Sequence, residues 1–257
     1  MKKLLFAAGL LAVVIGMASC KKISGKGDVV TETRNVGSFS GISLNMDGDV
    51  FFTPDTVYNC RVQAQENVLE VIETSISGGI LSLYIKDHYT LGKHDQITFW
   101  ISGPGVTSLN ISGSGDIFVE APWWGPLLKM TVSGSGNVSA GEVAGQELDV
   151  SISGSGNVNM LSVAAGTLGA KISGSGNTVA SGGISDFEKL VISGSGNIDF
   201  REVMADSTVA TISGSGDIYT WVTKYLDATI SGSGNIYYRG NPVIDSRVSG
   251  SGSLIPM

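Results

Sequence analysis

The sequence predicts an all-β chain wound as a parallel β-helix, a solenoid with about 20 residues per coil. Two observations carry this reading. The first is a repeat. Ser-Gly-Ser-Gly, followed by Asn or Asp and then Ile or Val, recurs with small departures, its first serine at Ser112, Ser133, Ser153, Ser173, Ser193, Ser213, Ser231 and Ser249. A spacing held between 18 and 21 residues marks units that pack only on their neighbours. The second is alternation within the period. Leu148, Val150, Ile152, Val158 and Met160 fall on one face, and Asp149, Ser151, Ser153, Ser155, Asn157 and Asn159 on the other. Period two is the signature of strands with one buried face.

Each position in the repeat has a predicted place. The residue before the motif is always Ile or Val, from Ile111 and Val132 to Ile230 and Val248. The residue after the Asn or Asp is apolar in every copy except the one with Thr178. β-Branched residues suit strands, so these two columns are the expected core. Stacked roughly 4.8 Å apart, they make a continuous buried stripe. Asp116, Asn137, Asn157, Asn177, Asn197, Asp217 and Asn235 then form a polar ladder in which amides bond along the axis. Its two Asp sit at well-separated rungs, which avoids like-charge contact. The two Gly of each motif either point into a narrow core or take φ > 0 at a corner.

The N-terminal third departs from the period. Residues 21–36 have few apolar side chains and read as a tether. Alternation begins at Phe39 with Ile42, Leu44 and Met46, and Asp47-Gly48-Asp49-Val50 is a degenerate copy of the motif. Residues 66–72 form a helical turn or an irregular strand, and strands are expected over 80–86 and 96–102. Ser102-Gly103-Pro104-Gly105 reads as another degenerate copy. Atypical terminal units of this kind cap a solenoid.

The first residues are an address. Lys2 and Lys3 precede an apolar run over 4–15, too short for a comfortable membrane span and right for a secretory signal. Small residues then lead into Cys20, which resembles a bacterial lipobox of the Bacteroidetes type. The resemblance implies that residues 1–19 are removed and that Cys20 becomes the acylated first residue of the mature chain. Four segments follow: the signal peptide 1–19, the lipidated Cys and tether 20–37, the N-terminal β region 38–110, and the eight-repeat helix 111–257. Lys21-Lys22-Ile23-Ser24 carries no acid after the cysteine, which favours the periplasmic face of the outer membrane over the cell surface. Cys60, left alone, lies in an alternating segment and reads as a small buried hydrophobe. Removal of Lys2 and Lys3 takes the formal net charge from -7 to -9. An acidic chain without basic clusters does not fit a nucleic-acid partner.

The chemistry that glycine-rich and β-helical chains invite is weakly represented. Gly-Ser-Gly here lacks the Gly-Lys-Ser/Thr of a phosphate loop, and no helix follows it. Calcium-binding β-rolls place an Asp about every nine residues, whereas most copies here carry Asn, too few carboxylates for six to eight oxygen ligands. No metal and no cofactor are expected. A sugar-cleaving enzyme is the alternative reading, by analogy with other β-helices. It needs two facing carboxylates, and the acids are scattered; Glu202 and Asp206 are the nearest to a pair across a corner. His88 and His94 flank a loop and read as solvated. Binding rests on aromatics. Trp123 and Trp124 lie in a Pro- and Gly-bounded loop, and adjacent residues of a strand cannot both face inward. Tyr219, Trp221, Tyr225, Tyr237 and Tyr238 form a second group, which either binds a ligand or caps the core.

Phe39-Ser40-Gly41-Ile42, Gly48-Asp49-Val50, Glu66-Asn67-Val68-Leu69, Gly79-Ile80-Leu81-Ser82-Leu83 and the repeated Ser-Gly-Ser-Gly-Asn/Asp resemble the putative auto-transporter adhesin, head GIN domain family of Bacteroidetes. The resemblance spans nearly all of the mature chain. It implies a right-handed β-helix with an adhesive or envelope role and brings no catalytic residues. The function expected is a non-enzymatic, lipid-anchored module that binds or scaffolds. Its candidate ligand-contacting aromatics are Trp123, Trp124, Tyr219, Trp221 and Tyr237, and its partners are the membrane and a glycan or envelope protein.

Overall fold

Residues one period apart become neighbours because their backbones hydrogen-bond. In the computed structural model, which describes residues 20–257, Val138 pairs with Val158 and Ile152 with Ile172, parallel and in register. The signal-peptide assignment lies outside the described residues. The same pairing repeats from coil to coil and builds a parallel β-solenoid of about 7 turns. Paired residues within one coil fall in three runs, 138–140, 142–145 and 147–152. Each coil therefore has three faces, and the Ser-Gly-Ser-Gly-Asn segment turns the corner between the last and the first.

The two predicted columns are the core. Ile111, Val132, Ile152, Ile172, Ile192, Ile212 and Ile230 are buried, as are Ile117, Val138, Val158, Ile198, Ile218 and Ile236. Burial of one such side chain is worth about 1.5–3 kcal/mol, and the pleat repeats it twice per coil.

The motif glycines follow the inward reading for the second of each pair, with a tighter cause than core width. None of them has positive φ; the second glycine of each motif is buried, facing inward as one of the two expected readings has it, and a Cβ on Gly156 or Gly176 would press on core Val132 or Ile152 of the coil below. A Cβ on Gly136, Gly156, Gly176, Gly196 or Gly216 would collide with the carbonyl oxygen of the equivalent glycine one coil below. Ser155 and Gly156 both donate to Gly134 O, at 3.1 and 3.4 Å. The corner stacks backbone directly on backbone, closer than any side chain permits.

At the N-terminal end the order along the axis is not the order along the chain. The rung beneath Ser112 is Asp47-Gly48-Asp49-Val50: Asp116 N donates to Gly48 O at 3.1 Å, and Val50 pairs with Ile117. Asp49–Pro54 in turn lies on Thr98–Gly103. Ser102-Gly103-Pro104-Gly105 is therefore not a rung. It ends a strand and turns, with Gly105 at φ 66. The end is then closed by antiparallel strands. Ile72–Ser77 covers Ile80–Ile85, Asn59–Gln65 covers Thr98–Gly103, and Val29–Thr33 adds to Asn59–Gln65. Residues 66–69 form a single helical turn that buries Val68 and Leu69.

The tether reading of 21–36 is corrected here. Lys21–Ile23 pairs with Tyr89–Leu91, and Val29–Thr33 is an antiparallel strand. Val29–Thr33 lies at the cap edge, mostly exposed, so backbone bonds rather than a hydrophobic pattern hold it.

Three successive coils carry polar groups in the core. Glu188 is fully buried; Thr208 Oγ1 donates to its Oε2 at 3.0 Å and Thr220 Oγ1 at 2.7 Å, from the next two coils. Glu188 Oε1, and the hydroxyls of Thr178 and Ser185 in the same coil, find no partner. Burial pushes the Glu188 carboxyl up to about 7, against the pull of the two threonine hydroxyls. A folded-state value above the unfolded one means stability fully present below pH 4.5 and lost as pH rises toward 7. The loss amounts to about 3 kcal/mol. Glu188→Gln should therefore melt higher than the parent at pH 8, with the difference vanishing near pH 4.5. Thermal melts of both proteins across that range check it; parallel curves would refute a buried, titrating Glu188.

Candidate functional site

The ladder forms as the spacing predicts, and its bonding decides what it can offer. Asn157 donates to Asn137 Oδ1 twice, from its backbone N at 2.9 Å and from Nδ2 at 2.9 Å. Asn177 does the same to Asn157, and Asn197 to Asn177. Asp217 N continues to Asn197 Oδ1, and Asn235 reaches Asp217 through both nitrogens. Oδ1 of Asp116, Asn137, Asn157, Asn177 and Asp217 thus accepts two bonds and has no lone pair left, whereas Asn197 Oδ1 accepts only from Asp217 N and Asn235 Oδ1 only from Ser253 N. Asn137, Asn157, Asn177 and Asn197 have each used one of their two Nδ2 hydrogens, and Asn235 has used both, the second on the Tyr237 hydroxyl. In those four the second remains, so the ladder presents a row of N–H donors with the strand spacing of roughly 4.8 Å.

The ladder is one rung longer than the motif count. Asp49 stands beneath Asp116, so two carboxylates do meet at its base, contrary to the expectation from the separated Asp rungs. Burial raises the Asp49 carboxyl, the Gln96 amide that donates to it lowers it, and Asp116 raises it further.

A groove of about 550 Å³ runs beside the ladder, lined by Asn157, Asn159, Asn177, Asn197, Asp199 and Tyr219 among others. Tyr219 lies parallel to Tyr237, ring centroids 4.7 Å apart and 6° between planes, and the Arg201 guanidinium sits 4.2 Å from its other side. Arg201 Nε donates to Asp199 Oδ1 at 2.7 Å. Both faces of Tyr219 are thus covered, which follows from the architecture: side chains in one column stack along the axis. Trp221 carries the Arg239 guanidinium on one face, 4.1 Å from the ring centroid. What these residues turn outward is ring edge, hydroxyl and cation. Tyr219 keeps its phenolic proton, its value raised by burial and then by Asp217 and Tyr237.

The five candidate aromatics therefore separate. Tyr219 and Tyr237 share the groove end. Trp221 lies two residues along the strand from Tyr219. Trp123 is a core residue, 1% exposed, with Nε1 donating to Val106 O at 2.7 Å. Trp124 is 73% exposed. The presumed Trp loop is the start of the strand Trp123–Val132, captured by pairing with Val143 and Ala144. Register also links Trp124, Ala144, Ala164, Ile184, Met204 and Trp221 into one column on the outer surface, with Ile184 and Met204 well exposed. Sequence reasoning missed this stripe, and Asp199 and Arg201 beside the groove. A column read every twenty residues would have found it as far as Met204; Trp221 joins only through a register shift.

The remaining candidates resolve simply. Glu202 lies 4.0 Å from Arg239, and Asp206 pairs with Lys224 at 2.7 Å, so the two carboxylates face separate cations. His94 is not solvated: its ring is largely covered, 3.6 Å from Asp47, with Nδ1 on Asp95 O. His88 is exposed. Cys60 is fully buried, and burial pushes its thiol up to about 12, so it is the inert hydrophobe expected. A larger cavity of about 910 Å³ lies in the N-terminal cap, where Arg34 pairs with Glu32 and Lys86 donates to Glu70 O. Among the described residues no three His, Cys, Asp or Glu gather as metal ligands, and no helix is long and apolar enough to cross a membrane.

A family model described as "Putative auto-transporter adhesin, head GIN domain" matches residues 38–242. Solved structures share the fold over almost the whole chain. A putative lipid binding protein from Parabacteroides distasonis is 27% identical with a TM-score of 0.87, covering 92% of this chain and 100% of its own. A putative adhesin from the same organism is 20% identical with a TM-score of 0.88, with the same coverage. A putative adhesin from Parabacteroides merdae is 22% identical with a TM-score of 0.85, covering 92% of this chain and 99% of its own. No curated protein matches.

Proposed function

The chain belongs to the putative auto-transporter adhesin, head GIN domain family, and on that premise we propose that it is a non-enzymatic binding module of the cell envelope whose ladder groove holds a glycan. The observation that carries this is the donor row: the amides of Asn157, Asn177 and Asn197 and Tyr219 line one groove, with the Arg201 guanidinium beside it against the Tyr219 ring, where ligand oxygens would accept. The two nearby carboxylates support binding rather than hydrolysis, since Asp199 is held by Arg201 and Asp217 Oδ1 is occupied by Asn235. Ring-face stacking on a sugar, the usual aromatic contribution, is not available at Tyr219. Recognition there rests on hydrogen bonds. A glycan and envelope-protein screen on residues 21–257 finds the ligand. Tyr219→Phe, which keeps the stack and removes one hydroxyl, should then weaken binding by about three- to tenfold. Unchanged affinity would remove the groove from the function.

A second reading is contact with lipid through the exposed Trp124–Trp221 column, in line with the lipid-binding description of one relative. Liposome flotation of Ile184→Ser and Met204→Ser against the parent separates the two.

The anchor completes the proposal. Cys20 is exposed, and the next residue is already held, Lys21 N donating to His88 O at 2.7 Å. An acyl group on Cys20 would seat the capped end directly at the outer membrane, on its periplasmic face, without a linker. Cys20→Ala should move the protein from the membrane fraction to the soluble fraction. A variant still bound firmly to membrane would exclude the anchor.

A further inference from the structure

Three lysines meet on the last face of the solenoid without a carboxylate to hold them. Lys129, Asp149, Gly169 and Lys189 stand in one column, paired coil on coil, and Lys171 lies in the next column, paired with Ser151 of the coil below. Together they line a hollow of about 200 Å³. Among the described residues none of these lysines lies in an ion pair. Lys86 and Lys224, by contrast, donate to Glu70 O and to Asp206, each at 2.7 Å. The chain as a whole is acidic, with a formal net charge of -7, so this concentration of cations reverses the field locally. No basic run in the sequence announces it; only the winding brings the three together.

Gly169 shapes the hollow. A Cβ there would lie well under 3.0 Å from Asp149 Oδ1, so the missing side chain is what lets the Asp149 carboxylate lie along the sheet. Three lysines and one carboxylate leave two positive charges. That balance selects among anions. A sugar carboxylate or a sulfate ester brings a single negative charge, whereas a phosphate monoester brings about 1.5 to 2 near neutral pH, with three acceptor oxygens. Ser151 adds a hydroxyl donor. Lysine suits such a ligand, because its ammonium is a point charge that binds phosphate without a fixed fork. We propose that this hollow is a phosphate site whose ligand is a glycan carrying a phosphate monoester. The glycan half rests on the reading of the ladder groove. Hollow and groove flank the same corner: Ser151 and Lys171 line the hollow, and Asn157 and Asn177, at the far ends of the corner segments that follow them, line the groove. One ligand can lie over the exposed Ser153 and Ser155 between them, its hydroxyls on the amide row and its phosphate on the lysines.

Titration of inorganic phosphate, followed through the backbone amide resonances of residues 21–257, tests the hollow by itself. A phosphorylated hexose oligosaccharide, beside its dephosphorylated form, tests the ligand. Phosphate should move the amides of Ser151, Gly169 and Lys171. Lys171→Gln should weaken both phosphate and the phosphorylated oligosaccharide about three- to fivefold, and Lys171→Gln with Lys189→Gln about tenfold or more. Asp149→Asn removes the opposing charge and should tighten both about two- to fivefold. Lys224→Gln, whose lysine is held by Asp206, should change neither. Tyr219→Phe should weaken the oligosaccharide and leave inorganic phosphate unchanged, so that failure of the groove and failure of the hollow read differently. Phosphate that moves no amide at the hollow, or that binds the parent and all the lysine variants alike, overturns the site. Equal affinity for the phosphorylated and dephosphorylated oligosaccharide, or capture by phosphatidic acid vesicles alone, overturns the glycan as its ligand.

Discussion

A single methyl group added at Gly196 should damage this protein more than the loss of most surface side chains. The Cβ of Gly196→Ala would lie well under 3.0 Å from the Gly176 carbonyl oxygen, and its next contacts are also backbone, of Gly176 and Ser175. No side chain is there to swing away. Relief must come from parting two coils at a corner where Ser195 and Gly196 both bond to Gly174 O and where Asn197 continues the ladder. We expect a loss of roughly 3–5 kcal/mol, above the ~1–3 kcal/mol usual for overpacking because only backbone can yield, and a melting temperature about ten degrees lower or more. Ser195→Ala is the control. It lies at the same corner, exposed, and should change stability by no more than about 0.5 kcal/mol. Equal melting of the two variants would mean that the corner is softer than its stacking implies.

That contrast shows why parts of the molecule were legible and others were not. Columns written every twenty residues could be read directly. Ile152 and Val158 announce a buried pair by alternation and branching, and Asn157 announces a ladder because the same amide recurs where amides bond best. The glycines were legible as a constraint but not as its cause. The close approach is along the axis, between residues twenty apart, and no local rule of turn or core shows it. Val29–Thr33 was missed because an edge strand that turns only Val30 toward the core has no hydrophobic pattern to betray it. Pro and Gly around Trp123 suggested a loop, but parallel pairing with Val143 and Ala144 of the next coil overrides local turn signals. The order of rungs at the cap depends on which columns complete one another in space, as when Gly48 rather than Gly103 takes the place beneath Gly115. The candidate site was half visible. The ladder could be foreseen, but the pairing of Asp199 with Arg201 and the stacking that hides the Tyr219 faces arise only when columns are aligned.

Alignment of columns also sets the largest contrast to be expected from deletion. Removing residues 153–172 joins Ile152 to Ser173, so the corner that follows simply meets its next copy. Thr178 then faces Val138 in place of Val158, and Ile192 faces Ile152 in place of Ile172, each pairing parallel and in register as before. Glu188 keeps Thr208 and Thr220, which lie beyond the cut. Removing only residues 153–162 joins Ile152 to Val163. That shorter cut deletes the corner and the first face of a coil but leaves its second and third. The remaining ten residues cannot travel once around the core. They must either leave Val163 and Leu168 in water or abandon the backbone bonds of the coils on both sides, and unpaired buried donors and acceptors are costly. Stability in a stack of repeats is roughly a sum of unit and neighbour terms. The whole-coil deletion should therefore fold with a circular dichroism spectrum like the parent's and a modestly lower melting temperature, although it removes twice as many residues. The half-coil deletion should aggregate or melt far lower. Equal damage from the two would show that twenty residues do not make one autonomous rung.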